Sequence, residues 1–252
     1  MSDLAKAGMS LGWIFDTVPD TLCNILRFLR RNGADAVELC LDPVRLRHLV
    51  LFLNQELGAS LAPFDCVSFE LPQVSWRKND SSTQEVVRCA YFLLSFPVRA
   101  LVVHPDTVED WDLLNRYNKN TFNRKIAVEF PMDRDKKSGR TLEELIDIYD
   151  NFPDFHFVLD VQHAYENDPT GSLAIEVAGI MGPRLRHLHV SGQKQRQDGL
   201  SRHSFLYEAD NRAEIQRILA LPILSDIPRI SEGEFKTCDT TAVASELNCL
   251  RS

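Results

Sequence analysis

Ionisable residues end several of the short apolar segments in this 252-residue sequence. Six consecutive segments each stop at a carboxylate or a histidine: Glu70 in FELP, His104 in VVHP, Glu129 in AVEF, Asp160 in VLDVQH, His189 in HLHV and Glu232 in ISEG. One such residue is readily explained by an ion pair or a buried core histidine. Six in succession indicate a shared site, because the active sites of β/α barrels form at the C-terminal ends of the strands.

The residue types at four of these positions favour a bound cation. Three carboxylates and one imidazole directed at a common axis would repel and desolvate one another without a positive charge between them. A mixed oxygen and nitrogen ligand set suits Mn²⁺, Co²⁺, Zn²⁺ or Mg²⁺. We therefore predict a divalent-metal site formed by Glu129, Asp160, His189 and Glu232. His163, three residues after Asp160, either adds a second imidazole or belongs to a helix cap or loop.

Eight apolar or β-branched runs alternate with amphipathic stretches and would position these residues. The predicted strands cover residues 9–15, 35–40, 65–71, 99–104, 125–130, 155–160, 185–190 and 228–233. Such alternation is typical of parallel sheets. A closed (β/α)8 TIM barrel is favoured over an open doubly wound sheet, because no glycine-rich phosphate turn follows any strand. We expect one domain over residues 1–252.

Three connecting segments have distinct patterns. An apolar stripe ending at Gly33 predicts a helix with Leu22, Ile25, Leu26 and Leu29 on its inner face. Thr141 and Glu144 predict a capping box, opening a helix with an inner face of Leu142, Leu145, Ile146 and Tyr149. The polar segment 193–202, with Lys194, Arg196 and Arg202, is interpreted as a long loop after the seventh strand.

Composition narrows the class of protein. Hydrophobic residues make up 44% of the chain, yet no apolar stretch approaches the roughly 20 residues of a membrane helix, which predicts a soluble protein. No secretion signal is evident, and the six cysteines lack metal or disulfide spacing, which favours reduced thiols in the cytoplasm. A net charge of -8 weighs against nucleic acid as a partner, although a local basic patch would still permit it.

The ordered motifs resemble those of the xylose isomerase-like barrels, which include sugar isomerases, sugar epimerases and the endonuclease IV type of abasic-site nuclease. The resemblance runs from GADAVEL at Gly33–Leu39, through VLDVQHA, to ISEGEF near the end of the chain. It implies a TIM barrel with a divalent-metal cofactor and site residues at the strand ends. A homo-oligomer is compatible with it.

The epimerase branch implies that Glu129, Asp160, His189 and Glu232 hold one metal ion. Glu129 and Glu232 would also be catalytic, exchanging protons with a carbohydrate-like substrate through a metal-stabilised enediolate. The same likeness implies substrate contacts for His163, His203 and Glu38. Glu38 is equally interpreted as a structural partner of an arginine, and His203 as a metal ligand or an ordinary loop residue. His187, two residues before His189, is expected in the core or in support of the site.

The nuclease branch implies three zinc ions and further metal ligands at Glu70, His104, His163 and His203. Two positions depart from its pattern, because Glu70 replaces a histidine and Ser201 replaces an aspartate. We therefore predict a metal-dependent isomerase or epimerase. The alternatives are a metal-dependent phosphodiesterase acting on abasic DNA and a barrel that binds metal without catalysis.

Overall fold

A computed structural model of the chain describes residues 5–12, 22–42, 55–133, 135–136, 138–234 and 238–252. Eight parallel strands in these residues close into a barrel. They are β1 (Ala7–Ser10), β2 (Ala36–Cys40), β3 (Cys66–Glu70), β4 (Ala100–Val103), β5 (Ile126–Phe130), β6 (His156–Asp160), β7 (Leu185–Val190) and β10 (Arg229–Ser231). The predicted (β/α)8 class is confirmed. The first strand was expected over 9–15 and begins at Ala7, and residues 13–15 lie outside the described part.

Helices lie between the barrel strands. The described ones are α1 (Leu22–Arg31), α2 (Gln55–Leu61), α3 (Ser81–Leu93), α4 (Trp111–Asn120), α5 (Leu142–Asn151), α6 (Val161–Asn167), α7 (Ser172–Met181), α8 (Arg212–Leu219) and α9 (Thr240–Arg251). Among them, no helix combines the length and apolar character that crossing a bilayer requires.

The predicted helix stripes pack against the outside of the barrel. Ile25, Leu26 and Leu29 of α1 are buried, and the chain leaves this helix through Gly33 with φ +90°, a left-handed conformation that favours glycine. The capping box of Thr141 and Glu144 is present at the start of α5. The predicted inner face of α5 is wrong at Ile146, which is 45% exposed, because Leu145 and Ile148, three residues apart, form the buried face.

Apolar side chains fill the interior of the barrel toward the N-terminal ends of its strands. Polar side chains occupy the interior at the C-terminal ends. One inner cluster consists of Ala100, Val102, Ala127 and Val158, and another of Ala36, Cys66 and Ile230. Successive side chains of a strand alternate between its two faces. Glu129 and Asp160, two residues beyond Ala127 and Val158, therefore also face the barrel axis, at its C-terminal end.

The segment 193–202 is a β-hairpin rather than the predicted loop. Strands β8 (Gly192–Arg196) and β9 (Gly199–Ser204) pair antiparallel and form a sheet of their own. The turn ends at Gly199 with φ +125°. The hairpin is also held from outside, since the backbone N–H of Gln193 donates to Asn211 Oδ1 at 2.8 Å.

Candidate metal centre and cleft

A cleft of about 350 Å³ opens at the C-terminal ends of the barrel strands. Its walls are Ser10, Gly12, Cys40, Glu70, Gln73, His104, Glu129, Met132, Asp133, Lys136, His163, His203 and Glu232. Among these described residues, Met132 is the one large aliphatic side chain. The cleft therefore suits a small polar ligand better than an apolar one.

The four predicted metal ligands converge at the floor of this cleft. His189 Nδ1 lies 3.4 Å from Glu129 Oε2 and 3.2 Å from Glu232 Oε1. Asp160 is the neighbour of His189 across the β6–β7 pair. Ligand atoms of Glu129, Asp160 and His189 all lie within 4.8 Å of one another. Four strand ends thus bring together the set that was predicted from residue type and from position at the ends of the apolar segments.

Unsatisfied polar atoms make this floor suitable for a cation. Asp160 Oδ2 and His189 Nδ1 are buried without a hydrogen-bond partner. Burial raises the pKa of Asp160, and the charge of Glu129 adds to this effect against that of His163. Burial also raises the pKa of Glu232 well above its usual value, with Asp160 and Glu129 adding to it against His189. A divalent cation would relieve both costs, so the residues fit the implied metal.

His104 connects one side of the floor with the cleft wall. Its Nε2 lies 2.7 Å from Glu70 Oε1 and 3.3 Å from Glu129 Oε2, and its Nδ1 lies 3.1 Å from Gln73 Nε2. Burial opposes protonation, but the charges of Glu129 and Glu70 raise the pKa of His104 to about 9. Glu129 shows the reciprocal effect, because His104 and His189 overcome burial and lower its pKa to about 2.

The opposite side of the floor carries His163 and His203. Asp160 Oδ1 accepts from the backbone N–H of His163 at 2.7 Å, which caps α6 and fixes His163 in its first turn. His163 Nε2 lies 3.5 Å from Asp160 Oδ2, and its Nδ1 lies 3.7 Å from Glu166 Oε2. Its ring meets that of His203 edge-on at 5.9 Å. Burial opposes protonation, yet Asp160 and Glu166 raise the pKa of His163 to about 10.

Glu38 does not reach the cleft, which corrects its expected place among substrate contacts. Its side chain is fully buried beneath the floor. It accepts a hydrogen bond from Ser68 Oγ at 2.9 Å and contacts His187 Nε2 at 3.1 Å and His189 Nε2 at 2.8 Å. Two imidazoles and a hydroxyl take the place of the arginine that the sequence suggested. His187 lies one layer below His189.

The basic residues of the hairpin are joined to carboxylates within the chain. Lys194 Nζ lies 2.6 Å from Glu208 Oε2, and Arg202 Nη1 lies 2.9 Å from Asp133 Oδ2. Arg196 pairs with Glu234 in the same way. Ser201 lies on β9 and does not line the cleft. Carboxylates of the chain therefore largely neutralise the positive charges of this segment, and the hairpin does not present a free basic patch.

Several residues of the site were not singled out from the sequence. Cys40 lines the cleft with Sγ 3.0 Å from Ser10 Oγ, and Glu166 closes the far side of His163. Burial raises the pKa of the Cys40 thiol well above its usual value, and Glu70 adds to the effect. Strand alternation places Cys40 on the same face as Glu38, and helical spacing places Glu166 beside His163. Both signals are present in the sequence.

Comparisons with known proteins identify similar folds at low sequence identity. No protein-family model matches the chain, and no curated protein matches it significantly. Among solved structures, the probable 3-DHS dehydratase of Bacillus anthracis has a TM-score of 0.67 at 14% identity, covering 98% of this chain and 99% of that one. The 3-keto-D-glucoside 4-epimerase of E. coli has a TM-score of 0.64 at 15% identity, with the same coverage.

A third structure extends the comparison to the nuclease branch. An AP endonuclease of family 2 from Brucella melitensis has a TM-score of 0.62 at 16% identity, covering 96% of this chain and 97% of that one. At such identities the likeness is one of fold. The described chain accordingly shares the TIM-barrel fold of these proteins.

Proposed function

We propose that this protein is a divalent-metal-dependent isomerase or epimerase of small carbohydrates. One observation carries the proposal: Glu129, Asp160, His189 and Glu232 converge at the floor of a polar cleft, where buried Asp160 Oδ2 and His189 Nδ1 lack hydrogen-bond partners. The similarity of fold to a 3-keto-D-glucoside 4-epimerase supports the same class of substrate.

The four converging residues would hold Mn²⁺, Co²⁺, Zn²⁺ or Mg²⁺. When bound, such an ion polarises a substrate carbonyl and stabilises negative charge that develops on its oxygen. Glu129 and Glu232 reach the cleft from β5 and from the end of β10, on either side of His189. One of these carboxylates removes the proton next to the carbonyl, and the other returns a proton to the resulting enediolate.

The other polar residues of the cleft would bind and orient the substrate. His163 and His203 lie edge-on to each other at one side and offer ring nitrogens to hydroxyl groups. A cavity of about 350 Å³ is within the range of small-molecule sites. Glu70 and His104 line the other wall, where they would contact substrate or bind a second ion.

The chain's own ion pairs make abasic DNA a weaker candidate for the substrate. Arg202 contacts Asp133 and Lys194 contacts Glu208, which leaves less positive charge for phosphates. The net charge of -8 acts in the same direction. Ser201 lies outside the cleft, so it does not replace the missing third-metal aspartate.

Exchange of substrate hydrogen with solvent deuterium tests the proposed chemistry directly. We expect the metal-loaded protein to incorporate deuterium next to the carbonyl of a substrate found among small ketoses and keto-glycosides, followed by mass spectrometry. Glu232→Gln should retain the fold and abolish exchange, because an amide does not transfer the proton. Glu176→Gln, an exposed change on α7, serves as the matched control.

Metal analysis distinguishes the three candidate functions. About one equivalent of divalent metal per chain, together with deuterium exchange, supports the isomerase. About three equivalents with salt-sensitive cleavage of abasic DNA would establish the nuclease instead. Metal binding with neither reaction, across the substrate panel, would favour a barrel without catalysis. Exchange that persists in Glu232→Gln would contradict the role given to this residue.

A further inference from the structure

A buried hydrogen-bond network lies directly beneath the proposed metal site. Glu38 of β2 is fully enclosed, and its two carboxylate oxygens face two imidazoles of β7. Oε2 lies 3.1 Å from His187 Nε2 and also accepts from Ser68 Oγ, while Oε1 lies 2.8 Å from His189 Nε2. The network therefore touches one predicted metal ligand on the side that faces away from the cleft.

The contacts of the His189 ring decide which of its two nitrogens carries a hydrogen. Nε2 of this ring lies 2.8 Å from the buried Oε1 of Glu38, and the other oxygen of Glu38 accepts from Ser68 Oγ. An ionised carboxylate only accepts hydrogen bonds. A hydrogen on His189 Nε2 lies against this carboxylate and is stabilised by its charge. In the neutral imidazole, the lone pair is left on Nδ1.

His189 Nδ1 is the atom that faces the other predicted ligands. It lies between Glu129 Oε2 and Glu232 Oε1 and has no hydrogen-bond partner. We infer that Glu38 is a positioning residue that fixes the Nε2–H tautomer and ring orientation of His189, so that Nδ1 binds the metal ion. This inference rests on the proposed function. Partners of this kind commonly orient metal-binding histidines in proteins.

A rival interpretation places an ion inside the network itself. Ligand atoms of Glu38, His187 and His189 lie within 4.8 Å of one another, so the three residues could enclose a cation. That ion would bind His189 through Nε2, whereas the proposed one binds through Nδ1. Ser68 Oγ and His187 Nε2 already engage Glu38 Oε2, which leaves only Oε1 of this carboxylate for an ion. The nitrogen that binds metal distinguishes the two arrangements.

Nuclear magnetic resonance of the wild-type protein identifies this nitrogen without any substitution. The protein is labelled with ¹⁵N at its seven histidines and loaded with ¹¹³Cd²⁺. We expect scalar coupling of cadmium to Nδ1 of His189 and a proton on Nε2 of the same ring. Coupling to Nε2 would overturn the inference, because Glu38 would then share the ion instead of orienting the ring.

Two variants measure the contribution of Glu38 by calorimetric titration of the metal-free protein with Mn²⁺. Glu38→Gln removes the carboxylate that requires Nε2–H, and we expect about 10- to 100-fold weaker binding. His187→Leu removes the second imidazole but keeps the contact between Glu38 and His189. We expect the affinity of His187→Leu for Mn²⁺ to stay within about threefold of wild type, because Glu38 still contacts His189. The loss in Glu38→Gln should be larger, since that change removes the direct partner of a metal-binding histidine.

The titration results test the role of Glu38 separately from the proposed function. Unchanged affinity in Glu38→Gln overturns the inference, and so does a loss in His187→Leu as large as that in Glu38→Gln. Failure of the wild-type protein to bind Mn²⁺, Zn²⁺ or Cd²⁺ overturns the proposed function instead. Should Glu38→Gln not fold, the cadmium coupling of the wild-type protein still decides which nitrogen binds.

Discussion

The two carboxylate oxygens of Asp160 have different structural tasks. Oδ1 accepts from the backbone N–H of His163 and caps α6, whereas Oδ2 faces the floor of the cleft without a hydrogen-bond partner. The cap stabilises the folded protein, while burial beside other carboxylates raises the pKa and makes the charge costly. The same residue therefore supports the fold through one atom and opposes it through the other.

Two substitutions of Asp160 separate these effects. Asp160→Asn keeps an oxygen for the cap and removes the buried charge, so the metal-free protein should be at least as stable as wild type. Asp160→Ala should be less stable than Asp160→Asn by about 1 kcal/mol, because the cap is lost. Urea unfolding in the presence of a chelator measures both. Equal destabilisation by the two changes would contradict this division of tasks, and both variants should bind Mn²⁺ more weakly.

Residue type and strand position were sufficient to predict which residues converge at the floor of the cleft, but not the network below them. Glu129, Asp160 and Glu232 each end an apolar run, and this pattern is visible in the sequence. The contact between Glu38 and His187 joins residues 149 positions apart. It depends on which face of each strand turns inward, and a short apolar strand does not reveal that face. The family resemblance therefore placed Glu38 among the substrate contacts, and nothing in the strand itself argued against that role.

Arg202 ties the β8–β9 hairpin to two other elements at the mouth of the cleft. Its Nη1 lies 2.9 Å from Asp133 Oδ2 and 3.2 Å from Asp135 Oδ2, both in the segment between β5 and α5. Its Nε lies 3.7 Å from Glu166 Oε1 on α6. One guanidinium thus links three elements around the cleft.

Loss of this guanidinium should loosen the hairpin without unfolding the barrel. For Arg202→Gln we expect faster chymotrypsin cleavage after Leu200, which is half exposed at the hairpin. The free energy of unfolding should fall by no more than about 1 kcal/mol, because partly exposed ion pairs contribute little. Arg116→Gln, an exposed change on α4, is the control. Identical cleavage rates in the two variants would show that Arg202 does not restrain the hairpin.

Elements with a strong apolar period were predicted well, whereas those held by tertiary contacts were not. The hairpin contains polar strands such as Gln193–Arg196, and only Asp198-Gly199 indicates a turn. Its position depends on Asn211 and Asp210, which accept from its backbone N–H groups. In α5, Ile146 and Ile148 both fit an apolar stripe, and the packing of the barrel decides that Ile148 is buried.

At the end of the barrel opposite the cleft, the first residue of β6 lies among cationic side chains. His156 begins β6 and accepts a hydrogen bond at Nε2 from Arg186, with Lys125 nearby. Burial lowers the pKa of His156 to about 4, and the charges of Arg186 and Lys125 contribute to the shift. This imidazole is thus neutral in the folded protein over a pH range in which the unfolded chain protonates it.

The stability of the whole protein should consequently depend on pH through His156. Below its ordinary pKa of 6.5 the unfolded chain gains a proton that the folded protein does not accept until about pH 4. The free energy of unfolding therefore falls as the pH decreases across this window, and the contribution is constant above it. Between pH 7.5 and pH 5, wild type should lose more stability in urea titrations than His156→Gln. Parallel losses would refute this assignment.

The closed barrel was predictable because eight similar units leave few arrangements for a parallel sheet. The register between neighbouring strands was not predictable from the sequence. Strands β6 and β7 shift relative to each other between Phe157 and Val158, and this irregularity lies just below the pair of Asp160 and His189. Backbone pairing of this kind depends on the neighbouring strands. The sequence therefore predicted that Asp160 and His189 lie near each other, but not the distances between their atoms.

The separate sheet formed by β8 and β9 gives this protein a modular organisation. The floor residues stand on barrel strands, while the hairpin supplies His203 to the wall and contributes nothing to the eight-stranded pairing. Exchange of the hairpin would therefore change one wall of the cleft and leave the floor residues on their barrel strands. If the proposed function holds, ligand choice and reactivity in this chain are carried by separate elements and can be altered separately.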